Sequence, residues 1–368
     1  MILKKYKKIV IKIGSTTIVD QLLGKIKTKW LNSICSDIAE LSITNKKIAV
    51  VSSGAIALGK YLISNNKPIK RLEDKQAAAA IGQIELAKHW QQGFKKYNIN
   101  TAQLLLTLND SEERRRYLNA RKTIISLHNK NVIPIINEND TVATEEIRYG
   151  DNDRLAARVA QMMGADLLIM LSDIDGLYTS NPHLDKQAKR VSNIKMVDEV
   201  IEKMVGKNQS VLGSGGMSTK IWAAKICLNS GCSSVITNGQ KINPLKRITA
   251  NNSSWFISLN SPNMARKQWL LNHLHPSGTA IIDDGANKAL INNKSLLPAG
   301  VVEIKGKFHR GDVITVNNKK NQKIAIGVVA YNSNDAKKII GKKSGDIIKI
   351  LGYETRDELI HKDDLVKV

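Results

Sequence analysis

The feature that most constrains the fold is a regular alternation of short β-branched runs with longer helix-like segments between residues 8 and 237. Such alternation indicates one α/β domain, with an open, mainly parallel sheet sandwiched by helices. The predicted strands are 8–13, 48–51, 102–107, 131–137, 166–171 and a final strand at 235–237. The predicted helices are 29–41, a segment after Ala55, 74–96, 110–128, 153–163 and one opening at 218–220.

Polar residues follow several of these predicted strands at the point where each strand ends. The first strand runs into Gly14-Ser15, the second into Ser52-Ser53, and a later one into Ser172-Asp173. In open parallel sheets, ligands bind outside the carboxyl ends of the strands. Ser53 could donate a hydrogen bond to a carboxylate there, or it could cap the following helix.

The stretch from Ile136 to Ala160 contains two clusters of Asn and Asp between a predicted strand and a predicted helix. Short acidic and amide side chains are costly to bury without partners, and they are well suited to holding an ammonium group, a carboxamide or a metal-phosphate. A solvated turn rich in Asn and Asp is the alternative, because these residues favour turns for backbone reasons. The stretch by itself leaves both interpretations open.

Lys12 lies between two isoleucines of the first predicted strand, where a charge is expensive to bury without a partner. It could be delivered to a phosphate beside the Gly14-Ser15 turn, or it could protect an edge strand from aggregation. The surrounding residues do not match the Walker P-loop pattern.

A glycine-rich segment precedes the last long helix of this domain. Gly213, Gly215 and Gly216 leave the backbone free to approach a ligand closely, and Ser218 to Lys220 open a helix whose N–H groups point the same way. A flexible linker would not normally run directly into an amphipathic helix. The pattern therefore favours anion binding.

From about residue 275 the chain consists of short, glycine-punctuated strands, predicted at 279–285, 301–306, 310–315 and 324–329, with one helix at 334–340. This pattern predicts a small, mostly-β domain, with a compact barrel as its expected form. The predicted division is a large domain at 1–262, a linker at 263–275 and the small domain at 276–368.

Composition narrows the class of protein. The chain has 368 residues, 42% of them hydrophobic, and it carries a net charge of +23. Its lysines are scattered, which favours a generally basic surface that attracts anions over a dedicated nucleic-acid stripe. The three cysteines lack zinc-ligand spacing. No segment resembles a secretory signal or a membrane span, so we expect no membrane association and a cytoplasmic location.

Five motifs occur in an order and spacing that resemble those of the gamma-glutamyl kinases (glutamate 5-kinases) of the amino acid kinase superfamily. They are I-V-I-K-I-G-S, V-V-S-S-G-A-I-A, I-N-E-N-D-T-V-A, G-D-N-D-R-L-A-A and G-S-G-G-M-S-T-K. The C-terminal region resembles a PUA domain through L-L-P-A-G-V and F-H-R-G-D-V-I. Ser172 and Ser214 stand where the family pattern has threonine, and serine keeps the hydroxyl in both.

The resemblance implies ATP-dependent phosphorylation of the side-chain carboxylate of L-glutamate, the first step of L-proline biosynthesis. By position, Lys12 and Lys220 match the lysines that contact phosphate, and Asp153 matches the aspartate that orients them. Ser53, Asp140 and Asn152 match the positions that contact glutamate. The positions that match ATP-binding residues are Lys12, Ser172, Asp173, Ser214, Gly215, Gly216, Met217, Ser218, Thr219 and Lys220.

The resemblance also implies ATP and Mg²⁺ as cofactors, with Mg²⁺ carried by ATP and no protein metal ligand assigned. It suggests feedback inhibition by proline, with residues 141–150 as the sensor, and a homo-oligomer, either a dimer or a tetramer. The chemistry agrees with a kinase of this kind. A carboxylate with a pKa of roughly 4.3 is already ionised at neutral pH, so its attack on phosphorus needs no general base.

Three rival functions remain open on the sequence. The nearest is a sister kinase that acts on aspartate, acetylglutamate or uridylate and differs only in its acceptor pocket. RNA binding is suggested by the PUA-like region and the basic charge, but the large domain lacks an aromatic-rich strand of the RNA-binding type. A catalytically dead homologue is disfavoured because Lys12, Asp153 and Lys220 are all present.

Overall fold

The computed structural model describes residues 2–64, 67–142, 152–182, 184–205, 216–262, 265, 276–353 and 356–367. The chain divides into two compact units, Met1–Pro262 and Asn263–Val368. The segment predicted as a linker, 263–275, lies outside the described residues except for Ala265.

The N-terminal unit contains an eight-stranded sheet in the order β5-β6-β4-β1-β7-β9-β10-β8. The first six strands in that order are parallel, β10 is antiparallel to β9, and β8 is parallel to β10. A small antiparallel pair, β2 and β3, stands apart from this sheet. The strands are β1 (Lys8–Ile13), β2 (Val19–Asp20), β3 (Lys25–Ile26), β4 (Lys47–Ser52), β5 (Thr101–Leu106), β6 (Ile133–Glu138), β7 (Leu167–Ser172), β8 (Asn193–Ile194), β9 (Ser233–Asn238) and β10 (Ser253–Phe256).

Helices cover both faces of this sheet, which confirms the predicted α/β class. Each face has its own buried cluster, and the strands supply alternate residues to the two clusters. In β1, Ile9, Ile11 and Ile13 belong to one cluster and Val10 to the other. The helices are α1 (Ser15–Ile18), α2 (Thr28–Ile43), α3 (Ala55–Ser64), α4 (Leu72–Lys95), α5 (Leu108–Glu112), α6 (Arg114–Asn129), α7 (Asn152–Met163), α8 (Glu199–Met204) and α9 (Met217–Asn229).

The helix-to-strand turns at the amino edge of the sheet share one backbone conformation. Five helices (α2, α4, α6, α7 and α9) are each followed, before the next strand, by a residue with φ between 54° and 75°. This left-handed conformation ends a helix, and glycine or asparagine adopts it at the lowest cost. The five residues are Asn45, Asn98, Asn131, Gly164 and Gly231.

Two sequence predictions for this unit are wrong in detail. The predicted helix at 110–128 is two helices, because Glu113 has an extended conformation (φ −71°, ψ 116°) between α5 and α6. The strand at 235–237 is not the final strand. It lies within β9, and in the sheet β9 is followed by β10 and then β8. These two strands have only four and two residues, so neither leaves a sequence pattern that predicts it.

The C-terminal unit has a five-stranded sheet in the order β12-β11-β13-β14-β15 and a core of its own. The predicted strand at 279–285 ends at Ile282, because the Asp283 side chain accepts from the Ala286 N–H and starts a helix. The strand predicted at 310–315 begins at Val313. The elements are β11 (Gly278–Ile282), α10 (Asp284–Ile291), β12 (Val301–Gly306), β13 (Val313–Asn318), β14 (Lys323–Val328), α11 (Ser333–Ile339), α12 (Ile347–Leu351) and β15 (Leu365–Lys367).

Candidate active site

The carboxyl ends of the parallel strands place the predicted polar residues along one edge of the sheet. Strand β1 lies between β4 and β7, with Lys12 in register with Val51 and Met170. Lys12 is therefore on a central strand, and the interpretation of it as an edge-strand lysine is wrong. Strand alternation turns its side chain toward the face that contains Val10, which is the face covered by α7 and α9.

Two buried lysines meet on a single buried carboxylate at this edge. The Lys12 Nζ lies 2.6 Å from Asp153 Oδ1, and the Lys220 Nζ lies 3.1 Å from Asp153 Oδ2. Asp153 is 0% exposed and each lysine is 6% exposed. The three residues come from β1 and from the first turns of α7 and α9, so the sheet and two helices must all be folded before they meet.

The electrostatics of this cluster favour a charged aspartate. Burial alone would raise the pKa of Asp153, but the ammonium groups of Lys12 and Lys220, with hydrogen bonds from Lys12 and Thr219, outweigh it and lower that pKa. Burial lowers the pKa of Lys12, Asp153 opposes this effect, and repulsion from Lys220 adds to it. Two lysines share this one carboxylate, an arrangement that suits the binding of an anionic ligand.

The first turn of α9 adds further donors. Gly216 stands at the N-cap position with an extended backbone (φ −74°, ψ −172°), and the helix begins at Met217, one residue before the predicted start. The Thr219 hydroxyl donates to Asp153 Oδ2 at 2.7 Å. The leading N–H groups of a helix lack intrahelical partners and attract anions. Ser218 is exposed, whereas Lys220 is buried.

An amide cluster lies beside the lysines. The Asn152 Nδ2 donates to Ser53 Oγ at 2.8 Å and to Asn137 Oδ1 at 3.0 Å, while the Asn137 Nδ2 donates to Gln83 Oε1 at 2.8 Å. The Asn152 Oδ1 is buried and has no hydrogen-bond partner among the residues that the structure describes. A buried, unsatisfied acceptor in a ligand-facing cluster is suited to an N–H donor of a ligand.

Asp140 stands just after β6, in a short 3-10 turn at Asp140–Val142 that contacts α4. Burial raises the pKa of Asp140 to about 6. Its carboxylate therefore remains largely ionised at neutral pH, where it can pair with a ligand ammonium group.

Ser172 and Asp173, at the end of strand β7, are the remaining pair of predicted site residues. The Ser172 hydroxyl donates to Asp173 Oδ1 at 2.9 Å, and the Asn238 Nδ2, at the end of β9, donates to the Asp173 carbonyl at 3.0 Å. Ser172 and Asn238 are in register on β7 and β9, so these residues also occupy the carboxyl edge of the sheet.

Several predictions fall outside the described residues. They concern Ser214, Gly215 and most of the loop proposed to sense proline. Among the residues described, no group of three or more His, Cys, Asp or Glu side chains could hold a metal ion. No helix in the described part of the chain has the length and apolar character needed to span a membrane.

Gln83 and Asn137 belong to the amide cluster, but the sequence did not single them out as site residues. Asn137 lies within the motif I-N-E-N-D-T-V-A. An amide at the end of an apolar strand was the sequence feature that could have identified it. Gln83 lies in an alanine-rich helix, where a lone glutamine carries no signal at all.

Comparison with known proteins agrees with this geometry. Residues 7–238 match the amino acid kinase family, and residues 278–351 match the PUA domain. The chain belongs to the amino acid kinase family. This membership confirms the resemblance drawn from the five motifs, and the second match confirms the prediction of a C-terminal PUA domain.

Within the family, the chain is similar over nearly its full length to proteins named glutamate 5-kinase. The relative from Paramagnetospirillum magneticum is 49% identical over 361 residues, which are 98% of this chain and 97% of the relative. The relative from Sinorhizobium fredii is 52% identical over 99% of this chain and 93% of its own length. The relative from Agrobacterium fabrum is 52% identical over 99% of this chain and 94% of its own length.

Proposed function

We propose that the protein transfers the γ-phosphoryl group of ATP to the side-chain carboxylate of L-glutamate, giving L-glutamyl 5-phosphate, the first step of L-proline biosynthesis. The observation that carries this proposal is the pair of buried lysines on Asp153, placed next to an amide cluster that has an open acceptor. One part suits a transferring phosphate and the other suits an amino acid. The glutamate 5-kinase relatives supply the choice of substrate.

The reaction needs alignment and positive charge more than it needs proton transfer. A glutamate carboxylate oxygen attacks the γ-phosphorus while the bond to the β-phosphate oxygen breaks, and ADP leaves. The carboxylate is ionised at neutral pH, so no general base is required. Lys12 and Lys220 would stabilise the negative charge of the transferring group, and Asp153 would hold both lysines in place.

The amino-acid end of glutamate fits the acceptors at the other side of the site. We assign its α-ammonium group to the Asp140 carboxylate and the Asn152 carbonyl oxygen. Ser53 and the turn at Gly14 would receive a carboxylate. The Ser53 hydroxyl already accepts a hydrogen bond from Asn152 and therefore keeps its own proton to donate.

The nucleotide would occupy the ends of β7 and β9 and the start of α9. Ser172, Asp173 and the segment 214–220 are the residues that we assign to it. Mg²⁺ would enter as part of the MgATP substrate and neutralise phosphate charge, while the chain's own lysines and N–H groups would contact the phosphates.

The direct test supplies the protein with ATP, Mg²⁺, glutamate and hydroxylamine, which converts an acyl phosphate to a hydroxamate that is then measured as its coloured complex with ferric iron. We expect hydroxamate from glutamate and none from aspartate or N-acetylglutamate at the same concentration. Uridylate would give a diphosphate, which forms no hydroxamate, so it is tested by ADP release, which we expect to stay at background. Lys220→Ala is the control for contaminating kinases. It should lose turnover far more than it changes the glutamate KM, because its charge matters most in the transition state. Product from aspartate or acetylglutamate alone would move the assignment to a sister kinase.

Four finer features remain predictions. They are inhibition by proline acting through residues 141–150, assembly into a dimer or tetramer, RNA binding by the C-terminal unit and a cytoplasmic location. The PUA match and the net charge of +23 are what favour RNA binding.

A further inference from the structure

Three side-chain amides form a continuous hydrogen-bonded chain that starts on α4 and ends at the proposed glutamate site. Gln83 is the first member, Asn137 at the end of β6 is the second, and Asn152 at the start of α7 is the third. Gln83 and Asn137 are 8% and 2% exposed, so water does not compete freely for their amide groups. The chain connects three elements, and only its last member, Asn152, is assigned a direct contact with the substrate.

This chain has a direction, because each primary amide has one end that donates and one that accepts. The two N–H groups of Asn152 are both used, by Ser53 Oγ and Asn137 Oδ1, which leaves its carbonyl oxygen as the open end. The Asn137 oxygen accepts from Asn152, so its amide nitrogen must point to an acceptor. The Gln83 Oε1 is that acceptor.

The backbone fixes Gln83 relative to the other end of the chain. At the neighbouring Gly82, an added Cβ would lie 1.9 Å from the Ala55 carbonyl oxygen, so α4 crosses the start of α3 in close contact. Ala55 follows Ser53 by two residues. The helix crossing that holds Gln83 therefore also lies next to the serine that binds Asn152.

We propose that Gln83 is a positioning residue that keeps the Asn152 carbonyl oxygen turned toward the ligand, so that the site selects acceptors with a free α-ammonium group. Without the Gln83 acceptor, the Asn137 amide loses the partner of its N–H end and is free to turn over. Asn152 would then present its donor end to a cation. The inference deepens the proposed function and rests on it for the identity of the ammonium-bearing ligand.

The test compares Gln83→Met, which keeps the length of the side chain but removes the acceptor, with the unchanged protein. We expect the glutamate KM to rise about tenfold, the usual scale for a lost hydrogen bond to a charged group. We expect the MgATP KM and the turnover at saturating glutamate to change little. Glutarate lacks the ammonium group, and its Ki as a competitor of glutamate should not change.

Two further variants distinguish a loss of the positioning hydrogen bond from a general disturbance of α4. Gln83→Glu presents an oxygen to Asn137 in either protonation state, so it should restore a near-normal glutamate KM. Gln92→Met makes the same substitution at an exposed position of α4 and should behave as the unchanged protein.

The inference is overturned by a glutamate KM that is unchanged in Gln83→Met, or by Gln83→Glu proving as damaging as Gln83→Met. The second result would mean that Asn137 turns its oxygen toward Gln83. If the unchanged protein uses aspartate in place of glutamate, the proposed substrate fails. The same comparison, with aspartate as substrate and succinate as competitor, then decides the inference. An acceptor with no ammonium group would overturn both.

Discussion

At the scale of single residues, Asp153 shows why a buried charge can be tolerated in this core. An isolated buried carboxylate is expensive, but two lysines and a threonine hydroxyl surround this one within 3.1 Å. The two lysines that share this one carboxylate form an arrangement that suits an anionic ligand. The cluster is therefore costly as a structural device and appropriate as a phosphate site.

Asp140 yields a prediction for pH. Its ionised form is needed to bind an ammonium group, and burial raises its pKa to about 6. We therefore expect the glutamate KM to rise as pH falls through about 6. The measurement is initial rate against glutamate concentration between pH 5 and 8.

The matched variant is Asp140→Asn, which should have a high glutamate KM at every pH and lack the step near 6. The effect of pH on stability is opposite to its effect on glutamate binding. A raised carboxyl pKa favours the folded protein below the unfolded pKa of about 3.9 and loses that contribution as pH rises through about 6. A wild-type glutamate KM that is flat across this range would remove Asp140 from the ammonium site.

At the scale of elements, the crossing of α3 and α4 depends on residues without side chains. An added Cβ at Gly59 would lie 1.8 Å from the Ala78 carbonyl oxygen, and the corresponding distance at Gly82 to the Ala55 carbonyl oxygen is 1.9 Å. No real Cβ tolerates such distances to backbone atoms. The two helices therefore approach each other more closely than any other residue type at these positions would allow.

Because of this close crossing, we expect a substitution that favours helix formation to destabilise the protein. Gly82→Ala should stabilise α4 by about 1 kcal/mol from helix propensity alone, but we expect net destabilisation by roughly 2 kcal/mol or more because the helices must separate. Urea unfolding monitored by circular dichroism measures it. Ala80→Gly, at an exposed position of the same helix, calibrates propensity and should cost about 1 kcal/mol. A more stable Gly82→Ala would show that the crossing is looser than described.

At the scale of the whole molecule, the net charge of +23 should act on both anionic substrates. Charges far from the site are screened beyond about 10 Å at 0.1 M salt, whereas contacts inside the site are screened much less. We expect the MgATP KM to rise severalfold between roughly 0.05 and 0.5 M NaCl with little change in kcat. Sucrose at matched osmolality serves as the control, and a KM that does not respond to salt would exclude long-range attraction.

The sequence by itself determined the class of the fold and the family. The strand and helix periods are local properties of the chain, and the polar residues follow strand ends because the carboxyl edge of a parallel sheet is where ligands bind. The predicted break points were less accurate. Glu113 interrupts a helix through a backbone angle that no side-chain pattern records, and β8 and β10 are too short to leave a period.

Only the tertiary structure decided how the site is assembled. Lys12, Asp153 and Lys220 are far apart in sequence, and a lysine in a β-branched run is equally compatible with an edge strand until the neighbours of β1 are known. Gln83 lies on a helix whose position is set by close backbone contact with α3, a relation between distant residues. Local sequence patterns determine the helices and strands, whereas the contacts that give each polar residue its partner form only when these elements pack together.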